Sequence, residues 1–255
     1  MSPSPINVIL ALMLIVSFLI AVVIHECGHA LMASLLGDPT PRNEGRLSLS
    51  LREHLDPIGT VLAVILAFFP VAAGPISLGW GKPVKSDAWK LRGGPNGGTL
   101  LVALGGPITS LIIGVIFAIL LRFLAVTALA SNIITLHILQ LVLVFASVNI
   151  CLAIFNLIPL YPLDGYQILY TLLPSRQAIQ FSRSAPYGPF IILAIIFLLP
   201  FLGQLSGLGS LFIFHIPYYI LLGALDIISL VTGIPVLSVD SFGVLGGLYP
   251  LYIHP

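Results

Sequence analysis

His25-Glu26-Cys27-Gly28-His29 sits inside an apolar stretch that runs from Ile6 to Leu36, and the reading of that stretch decides the fold. Histidines four apart share one face of an α-helix, where their imidazoles can hold a zinc ion, and the glutamate between them is placed to act as general base. Given six His and three Glu in 255 residues, chance yields about 0.002 matches to this pattern. The stretch exceeds the roughly 20 apolar residues that a bilayer crossing needs. Ionisable residues at that depth are costly and by default mark function rather than packing. The chemistry implied is metal-assisted hydrolysis inside a membrane.

Composition places the rest of the chain in the same setting. Hydrophobic residues make up 58% and charged residues 7%, against about 25% charged in an ordinary soluble domain, and the mean hydropathy is +1.12. The chain reads as an all-α polytopic membrane protein, with the lipid bilayer as its first partner. A net charge of +1 without any Lys/Arg run gives no footprint for nucleic acid. Cys27 and Cys151 both fall in apolar stretches, so they are read as packing residues rather than a disulfide or a cysteine-rich zinc site. The first stretch lacks a basic n-region, is too long for a signal-peptide core and carries the candidate catalytic residues, so it is expected to be retained.

Apolar blocks lie at 6–36, 58–78, 99–121, 133–160, 187–202 and 207–231. Pro70, Gly74, Pro75 and Gly79 interrupt the second, leaving only about a dozen unbroken residues. If this block dips into the membrane and returns, Arg42, Arg46, Arg52, Lys82, Lys85, Lys90, Arg92, Arg176 and Arg183 share one side and Arg122 alone falls opposite. A full crossing would split the ten basic residues four against six. The positive-inside tendency favours the re-entrant course, with the basic side cytoplasmic. The architecture expected is about five transmembrane helices plus a re-entrant segment.

Catalytic zinc normally takes three protein ligands and keeps a fourth position open. Asp164 and Asp226 are the acids inside or bordering the later apolar blocks. Asp164 follows a span in Asn156-Leu157-Ile158-Pro159-Leu160-Tyr161-Pro162-Leu163-Asp164-Gly165, where Pro159 and Pro162 break the helix and let a carboxylate turn toward a neighbour. On the re-entrant topology Asp164 shares a membrane side with the end of the first helix, where His25 and His29 lie. A full crossing of the second block would put it on the wrong face. Asp226 is equally explained by capping, pairing or an interfacial position.

H-E-C-G-H at 25–29, G-G-P-I-T at 105–109 and F-N-L-I-P-L-Y-P-L-D-G at 155–165, in this order and spacing, resemble the site-2 protease family of intramembrane zinc metalloproteases. Gly37-Asp38-Pro39-Thr40, Gly45-Arg46-Leu47, His54-Leu55-Asp56-Pro57-Ile58-Gly59 and Gly79-Trp80-Gly81-Lys82-Pro83-Val84 further resemble its compact prokaryotic branch, which has no PDZ domain. The resemblance covers residues 6–175. It implies Zn2+ held by His25, His29 and Asp164, with Glu26 taking a proton from the attacking water and passing it to the leaving amine. It also implies that Asn156 steadies the oxyanion, although this residue is read equally as helix packing or a cap before Pro159. The implied activity is hydrolysis of a peptide bond within or beside a transmembrane segment of a substrate protein, as in regulated intramembrane proteolysis. The implied location is a multi-pass position in a prokaryotic cell membrane, with the active site toward the cytoplasm. Tyr166 departs from the family pattern, because many relatives carry a second glycine after Asp-Gly, and its bulk would narrow the approach to zinc.

Other features keep alternatives open. His54, in a His-x-Asp-Pro pattern, is either a substrate-binding or auxiliary catalytic group or a turn histidine. Leu47, Leu49 and Leu51 alternate with Ser48, Ser50 and Arg52 in the period of a short half-buried strand, with 79–84 as its partner. Such short β elements near the active site would hold an unwound substrate by strand addition. Residues 1–175 are read as the metalloprotease core and 176–255 as a two-helix membrane addition with an apolar tail; the oligomeric state is not legible. A divalent-metal transporter also fits intramembrane histidines, but no second copy of the motif marks an internal repeat. A catalytically silent relative that binds membrane helices is disfavoured by the intact Glu26 and ligand set.

Overall fold

A computed structural model describes residues 8–68, 76–127, 133–207, 211–236 and 247–253. The chain is 78% helical, and no sheet forms among the described residues. The helices are α1 (Val8–Leu35), α2 (Thr40–Asn43), α3 (Leu51–His54), α4 (Pro57–Phe68), α5 (Gly94–Thr127), α6 (Ile133–Asn156), α7 (Asp164–Leu172), α8 (Ser175–Ser182), α9 (Gly188–Leu193), α10 (Leu199–Ser206), α11 (Ile216–Thr232) and α12 (Leu248–Ile253). Five helical stretches are long and apolar enough to cross a membrane, namely Val8–Leu35, Gly94–Val126, Ile133–Asn156, Ser175–Gly203 and Phe212–Thr232. The fourth is composite, α8, α9 and α10 being joined by the 3₁₀ turn Ala185–Tyr187 and the π turn Ala194–Leu198.

The centre of the bundle is α1, α5 and α6. Lipid tails are as apolar as leucine, so helices in a bilayer associate through close packing, which small residues permit. A Cβ on Gly105 would lie 2.9 Å from the Gly28 carbonyl oxygen, and one on Gly114 would strike Ile150 and come within 3.1 Å of the Ala146 carbonyl oxygen. The Arg92 amide donates to the Leu36 carbonyl at 2.8 Å, so α5 starts where α1 stops and runs back along it. The ends of α1 and α6 and the start of α5 therefore share one end of the bundle. Away from that end, Leu14, Phe18, Leu66, Leu143, Ile150 and Leu225 fill a continuous apolar core.

α4 has 12 residues, about 18 Å of helix, short of the ~30 Å hydrocarbon core of a bilayer. The chain then comes back alongside it. Ser77 Oγ donates to the Ala63 carbonyl at 3.4 Å, Gly79 abuts Gly59, and Leu55 pairs with Gly81 in a single antiparallel bridge. The turn between the two limbs, residues 69–75, lies outside the described residues.

The strand expected over Leu47–Arg52 does not form. Leu47, Leu49 and Leu51 are 40%, 78% and 45% exposed, and Leu51 already opens α3. Gly45 turns the chain with φ +74°, and the Ser48 amide and hydroxyl both bond back to the Gly45 carbonyl, at 3.0 and 2.7 Å. The alternating leucines thus find no partner strand; the Gly79–Val84 segment pairs instead at Leu55.

The C-terminal helices brace this arrangement. α11 lies on α5 and α6, Arg122 of α5 donates to the Thr232 carbonyl at the end of α11, and Gln140 Nε2 donates to the Tyr252 carbonyl of α12 at 3.0 Å. α9 begins against the chain that precedes Asp164, where a Cβ on Gly188 would run into the Tyr161 carbonyl. Gly114→Val is expected to lower stability by about 1–3 kcal/mol through overpacking between α5 and α6. Thermal unfolding in detergent micelles measures this, and an unchanged midpoint would mean that the two helices do not approach closely.

Candidate metal centre

His25, Glu26 and His29 are 3%, 5% and 5% exposed on α1. The two imidazoles stand edge to face, with ring centroids 4.9 Å apart. His25 Nδ1 lies 2.8 Å from Ser110 Oγ and His29 Nδ1 lies 2.7 Å from the Val102 carbonyl oxygen, both partners belonging to α5. The two Nε2 atoms turn the other way, onto the Asp164 carboxylate, at 2.9 Å for His25 and 3.1 Å for His29. Ligand atoms of His25, Glu26 and His29 lie within 4.8 Å of one another. The structure therefore brings together the residues read as metal-binding from the sequence, with Glu26 beside them.

The G-G-P-I-T motif makes room for this cluster. A Cβ on Gly106 would lie 2.5 Å from His25 Nε2 and closer still to His29 Nε2, so α5 passes directly over the imidazoles. Asp164 comes back to the site because α6 ends at Asn156 and the proline-containing turn leads into α7, whose first residue it is. Gly165 fixes that return, since a Cβ there would lie 2.5 Å from the Ile158 carbonyl oxygen.

The donor chemistry tests whether a cation fits. The Val102 carbonyl can only accept, so His29 Nδ1 carries the proton, and the 3.3 Å approach of the Gly106 amide to the same nitrogen is the weaker one. The neutral imidazole then presents an Nε2 lone pair to a carboxylate oxygen 3.1 Å away. Two acceptors that close require a proton or cation between them, and a zinc ion with its N and O preferences suits the set.

A cavity of about 600 Å³ opens on the cluster, with Glu26, His29, Asn156 and Asp164 in its lining. Glu26 Oε2 is buried without a hydrogen-bond partner among the described residues. Asn156 Nδ2 donates to the Leu152 carbonyl at 2.9 Å, which leaves one amide hydrogen. Trp80, Gly81 and the Pro83–Ser86 limb also line the cavity, positioned by buried Arg46, which donates to the carbonyls of Glu53, Lys82 and Pro83 at 2.5, 3.1 and 3.2 Å.

His54 stands apart from the cavity lining. It is fully buried, its Nε2 donates to the Ser48 carbonyl at 2.7 Å, and Cys27 Sγ lies 3.9 Å from that nitrogen. Asp226 is exposed on α11 and lines no part of the site. Sequence reasoning missed Ser110, Val102 and Arg46 as supports. The serine directly after G-G-P-I-T was the legible signal; a backbone carbonyl offers none.

A histidine pair oriented through its Nδ1 atoms, with one carboxylate against both Nε2 atoms, is a donor set that could hold a metal ion, and it sits in a bundle with five helices long and apolar enough to cross a membrane. The chain belongs to peptidase family M50, whose profile matches residues 13–199. It is 31% identical over 190 residues to "Putative zinc metalloprotease YwhC" of Bacillus subtilis (strain 168), an alignment covering 73% of this chain and 80% of that protein. No solved structure matches the chain.

Ser110→Ala is expected to weaken zinc binding about 10–100-fold, read by competition with a chromogenic chelator; an unchanged affinity would show that Ser110 does not orient His25. A second expectation concerns acid stability. Burial pushes the His54 imidazole below its ordinary value of 6.5, with Arg46 acting in the same direction. The unfolded chain then binds more protons, so the stability held above about pH 6.5 is lost as pH falls toward the folded value. His54→Gln, which keeps a donor for Ser48, should flatten that decline in unfolding midpoints measured from about pH 7 to 5. An identical slope in the variant would refute this assignment.

Proposed function

We propose that the protein is an intramembrane zinc endopeptidase of the site-2 type that hydrolyses a peptide bond within or beside a transmembrane segment of a substrate protein. The observation that carries this reading is Glu26, which has a buried Oε2 without a hydrogen-bond partner among the described residues and lines a cavity together with His29 and Asp164. His25, His29 and Asp164 would hold the zinc, which when bound supplies Lewis-acid activation of water and of the scissile carbonyl. Glu26 takes the proton from the attacking water and delivers it to the departing amine. Asn156 offers its remaining amide hydrogen to the oxyanion as charge develops there.

A helical substrate hides its amides in internal hydrogen bonds and must unwind before attack. Val84, Lys85 and Ser86 line the cavity and make no backbone hydrogen bond among the described residues. An unwound substrate pairs along this edge by strand addition, the role expected of the Leu47–Leu51 segment. The short α4 and its antiparallel return limb support a re-entrant course for 57–81, since both limbs begin and end beside the site. With the basic loops cytoplasmic, the cavity opens toward the cytoplasm, and cleavage releases a fragment on that side.

Wild type, Glu26→Gln and Asp164→Ala should be compared for zinc content and for cleavage of a model transmembrane substrate in micelles. Glu26→Gln is expected to keep zinc and lose at least about 10²-fold in rate, while Asp164→Ala loses zinc. Chelation should stop the wild type and added zinc restore it. A wild type that binds zinc yet cuts no faster than Glu26→Gln would favour a silent helix-binding protein.

A further inference from the structure

Resting on the protease reading above, we propose that Tyr166 determines substrate specificity by confining the side chain next to the scissile bond to small residues such as Gly, Ala or Ser. Tyr166 is two residues beyond Asp164, whose carboxylate meets both imidazoles, and it lines the same cavity as Asp164 together with Tyr161 and Tyr170. The same cavity of about 600 Å³ must also take the unwound backbone on either side of the bond. The Tyr166 ring takes up part of the space that the substrate must share.

The ring is packed against neighbouring rings. Its backbone is pinned because Gly165 is wedged against the carbonyls of Leu157 and Ile158, and the Tyr166 amide donates to the Leu163 carbonyl at 3.1 Å. One face is stacked on Phe181 of α8, with centroids 4.8 Å apart and planes 26° from parallel. Tyr161 meets it edge-on at 5.6 Å, and Tyr170 lies nearly parallel at 6.4 Å. A side chain free to rotate would yield to a bulky substrate residue; one held on three sides excludes it, and exclusion by a fixed wall separates substrates more sharply than added apolar contact does. Phe181 lines no part of the cavity, so it acts on selection only through Tyr166 and is a positioning residue.

The test uses the full-length, zinc-loaded protein in micelles and one model transmembrane substrate carrying Ala, Leu or Phe at each residue flanking the scissile bond, which mass spectrometry of the products locates. At the position facing Tyr166, wild type is expected to favour Ala over Phe by about tenfold or more in kcat/KM. Tyr166→Phe should keep that ratio, because the ring and not the hydroxyl selects. Tyr166→Ala and Phe181→Ala should bring the ratio near one with zinc content unchanged. If Tyr166→Ala binds less zinc, Phe181→Ala decides alone, since it removes the backing ring and leaves the cavity lining in place. Unaltered preference in the zinc-replete variants, or no preference in the wild type, would overturn the proposal. Failure of wild type to cut any substrate faster than Glu26→Gln would instead overturn the protease reading beneath it.

Discussion

Two imidazoles buried in an apolar bundle bring four ring nitrogens out of water, and each of them must meet a partner. An unsatisfied buried polar atom costs about 1–3 kcal/mol, so the positions of the partners constrain the helices that carry them. Ser110 and Val102 set how far α5 slides along α1, and Asp164 sets where α7 begins relative to both. The same stretch of α5 supplies the close helix contact, Gly105 lying against Gly28 one turn from the imidazoles. Packing and ligand orientation are thus a single geometric problem, and a shift of α5 by one residue would lose both together.

The loop end of the bundle is held by different means. Glycine contacts secure the helices, whereas the cavity wall is tied by charged side chains that satisfy backbone groups. Arg46 has no carboxylate partner among the described residues and spends its guanidinium on three carbonyls, joining α3 to the Lys82–Pro83 limb. Asp38 accepts from the amides of Thr40 and Asp87 at 3.0 and 2.7 Å, joining the end of α1 to the far end of the same limb. Between these two ties the backbone of Val84–Ser86 makes no backbone hydrogen bond among the described residues. A polar edge in that state is stable where water reaches it or where a substrate strand can replace the water.

The histidine pair was legible because its signal is local, two residues of one rare type at helical spacing. Asp164 was read from the basic-residue pattern, because the re-entrant course expected of the second apolar block would put it on the side of His29, and the structure brings its carboxylate to both imidazoles. The central helices followed from apolar length, but their mutual register did not, because the glycines that set it look like ordinary helix breakers in one dimension. The alternating leucines at 47–51 misled for a physical reason. Period two marks a strand only where a neighbouring strand accepts its hydrogen bonds, and here the Gly45 turn and the Ser48–His54 bond use that backbone locally. Val102 was invisible, since any residue type brings a carbonyl.

Helices beyond α7 pack on the turn that delivers Asp164. The turn that delivers Asp164 contains Leu160, Tyr161 and Leu163, and an apolar pocket encloses Leu160 and Leu163 with Ile192, Ile196 and Ile220. The start of α9 presses on the Tyr161 carbonyl, and Phe181 of α8 backs Tyr166. A carboxylate on a proline-broken turn has little intrinsic order, yet it must meet two fixed imidazoles within hydrogen-bond distance. The stiffness it needs comes from packing against α8, α9 with the π turn that follows it, and α11. The Asp164 carboxylate and the aromatic side chains that follow it are therefore positioned by one set of contacts, so a substitution that loosens that packing moves both.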